Sequence, residues 1–289
     1  MNQNPQQQGP ATRLDQYVTE KLETASRALC AKVIDRGLVS VNGEPVTKSS
    51  YKVKTTDVIV IDYDPNIIIL PEDIDLPVIY EDDDCVVINK PPGILAHSKG
   101  DFNDEPTVAS WLSGRLKDMD GNRAGIVHRL DRATSGVMIC AKNPIAQKKL
   151  QKQFADRKVK KSYMAIVAGH LKEDQAIIDM AIERNPKKPQ TFRVGINGKN
   201  SVTAYRVLKT SSKYSLMQLT PTTGRTHQLR VHLSHIGHPI VGDLMYGGKK
   251  ADRLYLHALS LEITIPKGSE RKVFTTKLPS SFDQLMDKK

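Results

Sequence analysis

Apolar positions change period several times along this chain. Leu14, Tyr17, Val18 and Leu22 follow helical spacing, and Leu29, Val33 and Ile34 do so again after a short break. Thr12 and Asp15 stand at capping-box spacing before the first run. Ser26 can cap the second, and Gly37 supplies its stop. Leu38-Val39-Ser40-Val41 then reads as a strand, Asn42-Gly43 is a tight-hairpin signal, and Val58–Ile61 is a closing strand. These elements make a compact α/β module over 12–61, behind a Gln-rich stretch at 1–11 whose composition predicts a disordered tail.

The pattern breaks over 62–77, where Pro65, Pro71 and Pro77 and several acids predict a linker, with the apolar run Ile67–Leu70 docking against a neighbour. From 78 to 289 a second, larger domain is expected. Its apolar runs predict strands at 85–89, 125–130, 137–142, 162–168, 201–208, 214–219 and 256–263. Helices are predicted at 106–116, 144–156 and 227–236, with Asn143-Pro144 as a strong helix start. Strands outnumber helices and do not alternate with them. The fold class expected is therefore α+β, with a mixed, largely antiparallel sheet in the larger domain. No internal repeat is visible.

Charge adds a partner class. The 289 residues carry 43 Lys and Arg against 32 Asp and Glu, a net +11. Residues 62–84 hold nine acids and no base, so the excess sits later: over 85–289, 35 bases face 17 acids. A polyanion is the expected partner, against the plain alternative that many soluble proteins are basic without consequence. Cys30, Cys85 and Cys140 are far apart, which argues against a disulfide framework or a zinc ribbon, and Cys85 and Cys140 sit in apolar core runs. No run is long enough to span a membrane and the N-terminus has no signal pattern, so the expected location is the cytoplasm.

Three segments could carry chemistry. In the first, Gly125-Ile126-Val127-His128-Arg129-Leu130-Asp131-Arg132-Ala133-Thr134-Ser135-Gly136, an apolar run delivers Asp131 between two arginines into a Thr/Ser/Gly turn. Nearby cations keep such a carboxylate ionised, fit to act as nucleophile or base on a bound polyanion. The plain alternative is an Asp that orders its own loop. A serine elbow is excluded, since Ala133 and Val137 occupy the required glycine positions around Ser135. The second segment is Lys160-Lys161-Ser162-Tyr163, where Tyr163 could stack on a base or simply be core. The third, Thr223-Gly224-Arg225-Thr226-His227-Gln228-Leu229-Arg230-Val231-His232, opens a helix with a glycine turn. Arg225 and Arg230 suit phosphate or carboxylate. His227, His232, His235 and His238 lack metal-ligand spacing, so no metal is expected.

In order and content these segments resemble the pseudouridine synthases of the RluA type. The resemblance rests on His128-Arg129-Leu130-Asp131-x-x-Thr134-Ser135-Gly136, supported by Asn89-Lys90-Pro91-Pro92-Gly93, Lys161-Ser162-Tyr163, Gly224–Arg230 and Leu256-His257-Ala258, and it covers 78–289. Residues 12–61 resemble the S4-like RNA-binding domain through Ser26-Arg27, a basic second helix and Gly37-Leu38-Val39-x-Val41-Asn42-Gly43. The resemblance implies isomerisation of uridine to its carbon-linked isomer in structured RNA, with large-subunit ribosomal RNA or a pre-ribosomal particle as the partner and no cofactor. It implies Asp131 as the essential carboxylate, Tyr163 against the base, and Arg230 paired with Asp131. Arg129, His128 and Arg225 would meet RNA, as would Arg27, Lys32 and Arg36 of the first module, whose plain alternative is a solvated helix face. The expected protein is a monomer that engages no membrane. Three rivals remain at this stage: a non-catalytic RNA-binding or ribosome-assembly factor, a synthase acting on transfer RNA, and a nuclease, which would want an acid cluster for divalent metal.

Overall fold

The computed structural model describes residues 11–22, 25–63, 74–98, 105–121, 123–268 and 270–287. These residues fall into two compact units, the first ending at residue 63 and the second beginning at 74. The expected N-terminal tail and most of the expected linker, with Ile67–Leu70, lie outside the described residues.

The first unit packs helices Leu14–Lys21 and Arg27–Asp35 beside a sheet of three short strands, Glu44–Pro45, Val39–Val41 and Ile59–Ile61. Leu14, Val18, Val33, Ile34, Val39 and Val53 are buried together, as the helical and strand spacing requires. Ser26 caps the second helix by accepting from the Leu29 amide, 3.3 Å. Asn42 and Gly43 both take positive φ, 54° and 86°, the conformation a two-residue hairpin turn demands. The Thr12/Asp15 capping box does not form. Thr12–Arg13 instead pairs as a strand with Lys52–Val53, the helix starts at Leu14, and the Asp15 carboxylate takes the Arg13 guanidinium at 2.9 Å.

The second unit is built on a nine-stranded sheet. Its order runs Gln175–Asp179, Val202–Thr210, Tyr214–Pro221, Lys160–Ala168, Leu256–Thr264, Ser135–Ala141, Cys85–Lys90, Val78–Glu81, with Arg271–Thr275 attached to Leu256–Thr264. Among the described residues its strand pairs are antiparallel except one: Leu256–Thr264 runs parallel to Ser135–Ala141, with Ala258 opposite Gly136. Cys85–Lys90 alternates between two cores. Val86 and Ile88 face Trp111 and Leu112, whereas Cys85 and Val87 face Ala146 and Leu150 of helix Pro144–Ala155. That two-sided burial explains why the strand reads as a continuous apolar run. The third core, at the other end of the sheet, takes Leu229 and Leu233 of helix Gln228–His235 with Phe282 of a C-terminal helix, Ser280–Met286.

The expected strand at 125–130 is not one. Among the described residues its bridge pairing is a single one, between Ile126 and Cys140. Gly125 takes φ +76°, and the His128 ring, not a backbone carbonyl, accepts the Ile139 N–H at 3.1 Å. The segment is therefore a loop laid against Ser135–Ala141. The predicted helix at 106–116 is shortened to Val108–Leu112 followed by a 3-10 turn, Ser113–Arg115.

Candidate active site

Asp131 sits in a turn closed by the Thr134 amide donating to the Asp131 carbonyl, 3.0 Å, directly before the strand Ser135–Ala141. Two features fix that turn. Gly136, at φ +116°, lies so close to Ala258 that an added Cβ would stand 2.2 Å from the Ala258 carbonyl oxygen. Only glycine permits both that conformation and that approach. Beneath the turn, Lys90 is fully buried and its ammonium donates to the carbonyls of Pro91, Ile94 and Arg132 at 2.8, 2.9 and 3.2 Å. Burial lowers its pKa to about 7, against the opposing pull of the Asp131 charge.

The Asp131 carboxylate opens into a cleft of about 480 Å³. Arg129, Tyr163, Lys161, Arg225, His227 and Arg230 all line it, so cations outnumber acids around the opening. Tyr163 arrives from Lys160–Ala168, between Leu219 and Ala258 in the sheet. Burial, followed by the nearby Asp131 charge, raises the pKa of its hydroxyl, which is a neutral phenol at physiological pH. Arg225, His227 and Arg230 arrive from the glycine turn and helix Gln228–His235. Gln228 holds that turn in shape: its side-chain carbonyl accepts from the Thr223 hydroxyl and the Arg225 amide, 2.7 and 3.0 Å, while its NH₂ donates to the Val202 carbonyl at 3.0 Å.

Arg230 touches Asp131, but not through the fork. Its Nη1 lies 3.4 Å from Asp131 Oδ2. The two-bond grip falls on Asp243, with Nε to Oδ2 at 2.7 Å and Nη2 to Oδ1 at 2.8 Å. Arg230 and Asp243 are both buried. Burial opposes the Arg230 charge, and the two carboxylates outweigh it. His227 stands on the other side of Asp131, Nε2 to Oδ1 3.8 Å. Burial lowers its pKa, Asp131 pulls the other way, and the imidazole is neutral near pH 7.

Residues 84–235 match the model of the RNA pseudouridylate synthase family, and residues 12–59 match that of the S4 domain. The chain belongs to the RNA pseudouridylate synthases. Over 94% of its length it is 38% identical to ribosomal large subunit pseudouridine synthase D of Borreliella burgdorferi, covering 88% of that protein. An uncharacterized RNA pseudouridine synthase of Aquifex aeolicus is 39% identical over 84% of this chain and 79% of its own. Among solved structures, human RNA pseudouridylate synthase domain containing 1 superimposes with a TM-score of 0.60 at 32% identity, over 71% of this chain and 84% of that one. A pseudouridylate synthase is an isomerase, and the cleft around Asp131 brings an acid, a phenol and a guanidinium together.

Of the residues the sequence singled out, Asp131, Tyr163, Arg230, Arg225 and Arg129 share this cleft, with Arg129 exposed at its rim. His128 lines it as well but is a poor phosphate contact. Its Nε2 accepts the Ile139 amide, its ring stacks on Phe154 at 4.4 Å, and burial lowers its pKa to about 3. A neutral, stacked ring offers phosphate no charge. Arg27 belongs to the first unit, at the start of its helix and 3.7 Å from Asp15; Lys32 and Arg36 lie exposed at the other end of that helix. The histidines that lack metal-ligand spacing go to separate partners: His232 to Thr203 and the Met180 carbonyl, His238 to the Ala168 carbonyl. Among the described residues no cluster of three His, Cys, Asp or Glu is placed to hold a metal ion. Asp243 and Tyr246 were missed. Their signal is faint, two glycines, Gly242 and Gly247, with positive φ on either side of an otherwise ordinary turn.

Proposed function

We propose that this synthase acts on ribosomal RNA of the large subunit, in the cytoplasm and as a monomer, with Asp131 as its essential carboxylate. The observation that carries the assignment of Asp131 is its placement: a carboxylate in a cationic cleft, touched by a buried guanidinium whose Nε and Nη2 already bind Asp243. The large-subunit substrate is supported by relatives named for that RNA.

Isomerisation breaks the bond between uracil N1 and ribose C1′, turns the base, and forms a bond from C5 to C1′. The C5 proton leaves and N1 gains one, so no electrons are exchanged with any other group. Asp131 acts on the ribose, at C1′ or on the C2′ proton. Tyr163 packs against the base and holds it through the turn. As a neutral phenol it takes the C5 proton only while its own departs. The uridine must leave its stack to enter the cleft, which costs a few kcal/mol. Arg129 at the rim fills the vacated place or meets the flipped nucleotide's phosphate, and Arg225 meets phosphate further along. The S4 module, over about 12–61, adds contacts of its own through Arg27, Lys32 and Arg36, joined by the 62–77 segment to the catalytic region at 78–289.

The test is Asp131→Asn, which removes the charge with little change in shape. Single-turnover assays on a large-subunit RNA transcript should show no pseudouridine, with RNA affinity nearly unchanged. Substantial turnover in this variant would remove Asp131 from the chemistry. Pseudouridine maps of total RNA from cells with and without the gene identify the target nucleotide.

A further inference from the structure

The Asp131 carboxylate has two oxygens, and each faces one nitrogen. Oδ2 faces Arg230 Nη1 at 3.4 Å and Oδ1 faces His227 Nε2 at 3.8 Å. Behind these two nitrogens lies a single short turn, Leu244–Tyr246 with Asp243 as its N-cap. Asp243 grips Arg230 with both oxygens. Tyr246 does two things. Its ring lies under the Arg230 guanidinium, 4.9 Å from the centroid, and its hydroxyl sits 2.7 Å from His227 Nδ1.

The Tyr246 oxygen also accepts the Phe192 N–H at 3.0 Å. The phenolic hydroxyl is also placed to donate to His227 Nδ1. The imidazole then carries its own proton on Nε2, the nitrogen turned toward Asp131. His227 itself adopts φ +56° at the helix start, in the left-handed region.

We infer that the Asp243–Tyr246 turn is a positioning element for the isomerisation: through Arg230 and His227 it sets the direction of both oxygens of Asp131. The inference rests on Asp131 being the reacting carboxylate. Asp243 and Tyr246 touch no substrate; they act through the two residues that bracket the acid. Arg230, gripped by Asp243 through Nε and Nη2 and backed by the Tyr246 ring, presents Nη1 to Asp131, and the grip fixes the direction of that nitrogen.

The groups facing His227 are Asp131 and Arg129 from the motif loop, Arg230 on its own helix, Asp243 and Tyr246 from the turn, and the edge of the Phe192 ring at 5.7 Å. Removing the Tyr246 hydroxyl frees Nδ1 to take a proton. A charged imidazole beside Asp131 would pair with the carboxylate and weaken it toward the ribose. The acid limb of the pH–rate profile should therefore move to higher pH in Tyr246→Phe.

The experiment compares Asp243→Asn, Tyr246→Phe and Asp131→Asn in the full chain, using single-turnover kinetics with saturating enzyme, RNA affinity by filter binding, and pH–rate profiles. Expected are a rate loss of about tenfold or more in Asp243→Asn with RNA affinity within about twofold, since aim and not attraction is lost. Tyr246→Phe should show a smaller loss together with the shifted acid limb. Should Asp243→Asn fail to fold, the Tyr246→Phe profile decides alone. Folded variants with the wild-type rate and profile would overturn the inference while an inactive Asp131→Asn left the catalytic reading standing. An active Asp131→Asn would instead remove the reading on which it rests.

Discussion

Replacing Arg230 by Lys keeps the charge and removes the shape. The guanidinium donates toward two carboxylates, to Asp243 at 2.7 and 2.8 Å and to Asp131 at 3.4 Å. A lysine ammonium is a point donor on a flexible stem and cannot hold two oxygens of one carboxylate while reaching a second. It will settle on Asp243, whose carboxylate is almost wholly buried and is the more costly of the two to leave unpaired. One charge-assisted hydrogen bond to Asp243 is lost, worth about 1.5–3 kcal/mol of stability. The contact to Asp131 is also lost. At 3.4 Å it belongs at the weak end of that range, and at ~1.4 kcal/mol per factor of ten its loss lowers the chemical step roughly tenfold. Urea denaturation reads the first effect, and single-turnover kinetics with saturating enzyme reads the second. RNA affinity should hardly change, because Arg230 is buried and not offered to phosphate. A variant with a near-normal rate and weaker, more salt-sensitive RNA binding would refute the reasoning and place Arg230 among the phosphate contacts.

Gly136→Ala should be far harsher than its single methyl suggests, because the added Cβ meets backbone at 2.2 Å and backbone cannot move aside; a loss of ~3 kcal/mol or more, seen as insolubility or a collapsed melting temperature, is expected. His128 is neutral in the fold, its pKa lowered from 6.5 to about 3 by burial, so the unfolded chain binds more protons than the folded one between those values. Stability should therefore fall as pH drops below 6.5, and His128→Gln, which keeps an acceptor for Ile139, should lessen that fall; parallel stability–pH curves for the two proteins would exclude His128 as a cause. Removing residues 1–64 should weaken binding to structured RNA and leave the catalytic region folded, since a tethered second contact raises local concentration; unchanged efficiency on intact RNA would mean that the S4 module contributes no affinity.

Much of the fold was legible because its strands are buried on both faces. Cys85–Lys90 and Ser135–Ala141 announce themselves as apolar runs, and helix Pro144–Ala155 begins on an Asn-Pro pair whose Asn143 caps it, accepting from Ala146 at 2.8 Å. Strands with exposed edges were not legible. Gln175–Asp179, Ile182–Arg184 and Phe192–Val194 carry polar residues and are held by pairing with distant partners, which no local pattern records. Residues 125–130 failed in the opposite sense: β-branched and apolar, they have strand propensity, but a left-handed glycine and the His128 ring displace the ladder. In the site, Asp131, Tyr163 and Arg230 stand in dense local motifs and could be named in advance. Asp243 could not, because its partner lies 13 residues away on another element and nothing around it marks an acid destined for burial.

The parallel strand pair joins segments that lie far apart along the chain. The Asp131 turn is completed by Ala258, whose strand slots between Ser135–Ala141 and Lys160–Ala168 from 122 residues downstream, as the contact of Ser135 with His257 measures. Closure across so long a stretch is slow and comes late. While the chain is being synthesised, the acid, the phenol and the guanidinium exist before the strand that fixes their geometry has emerged. Until Leu256–Thr264 has paired, the Asp131 turn lacks the backbone against which Gly136 is seated.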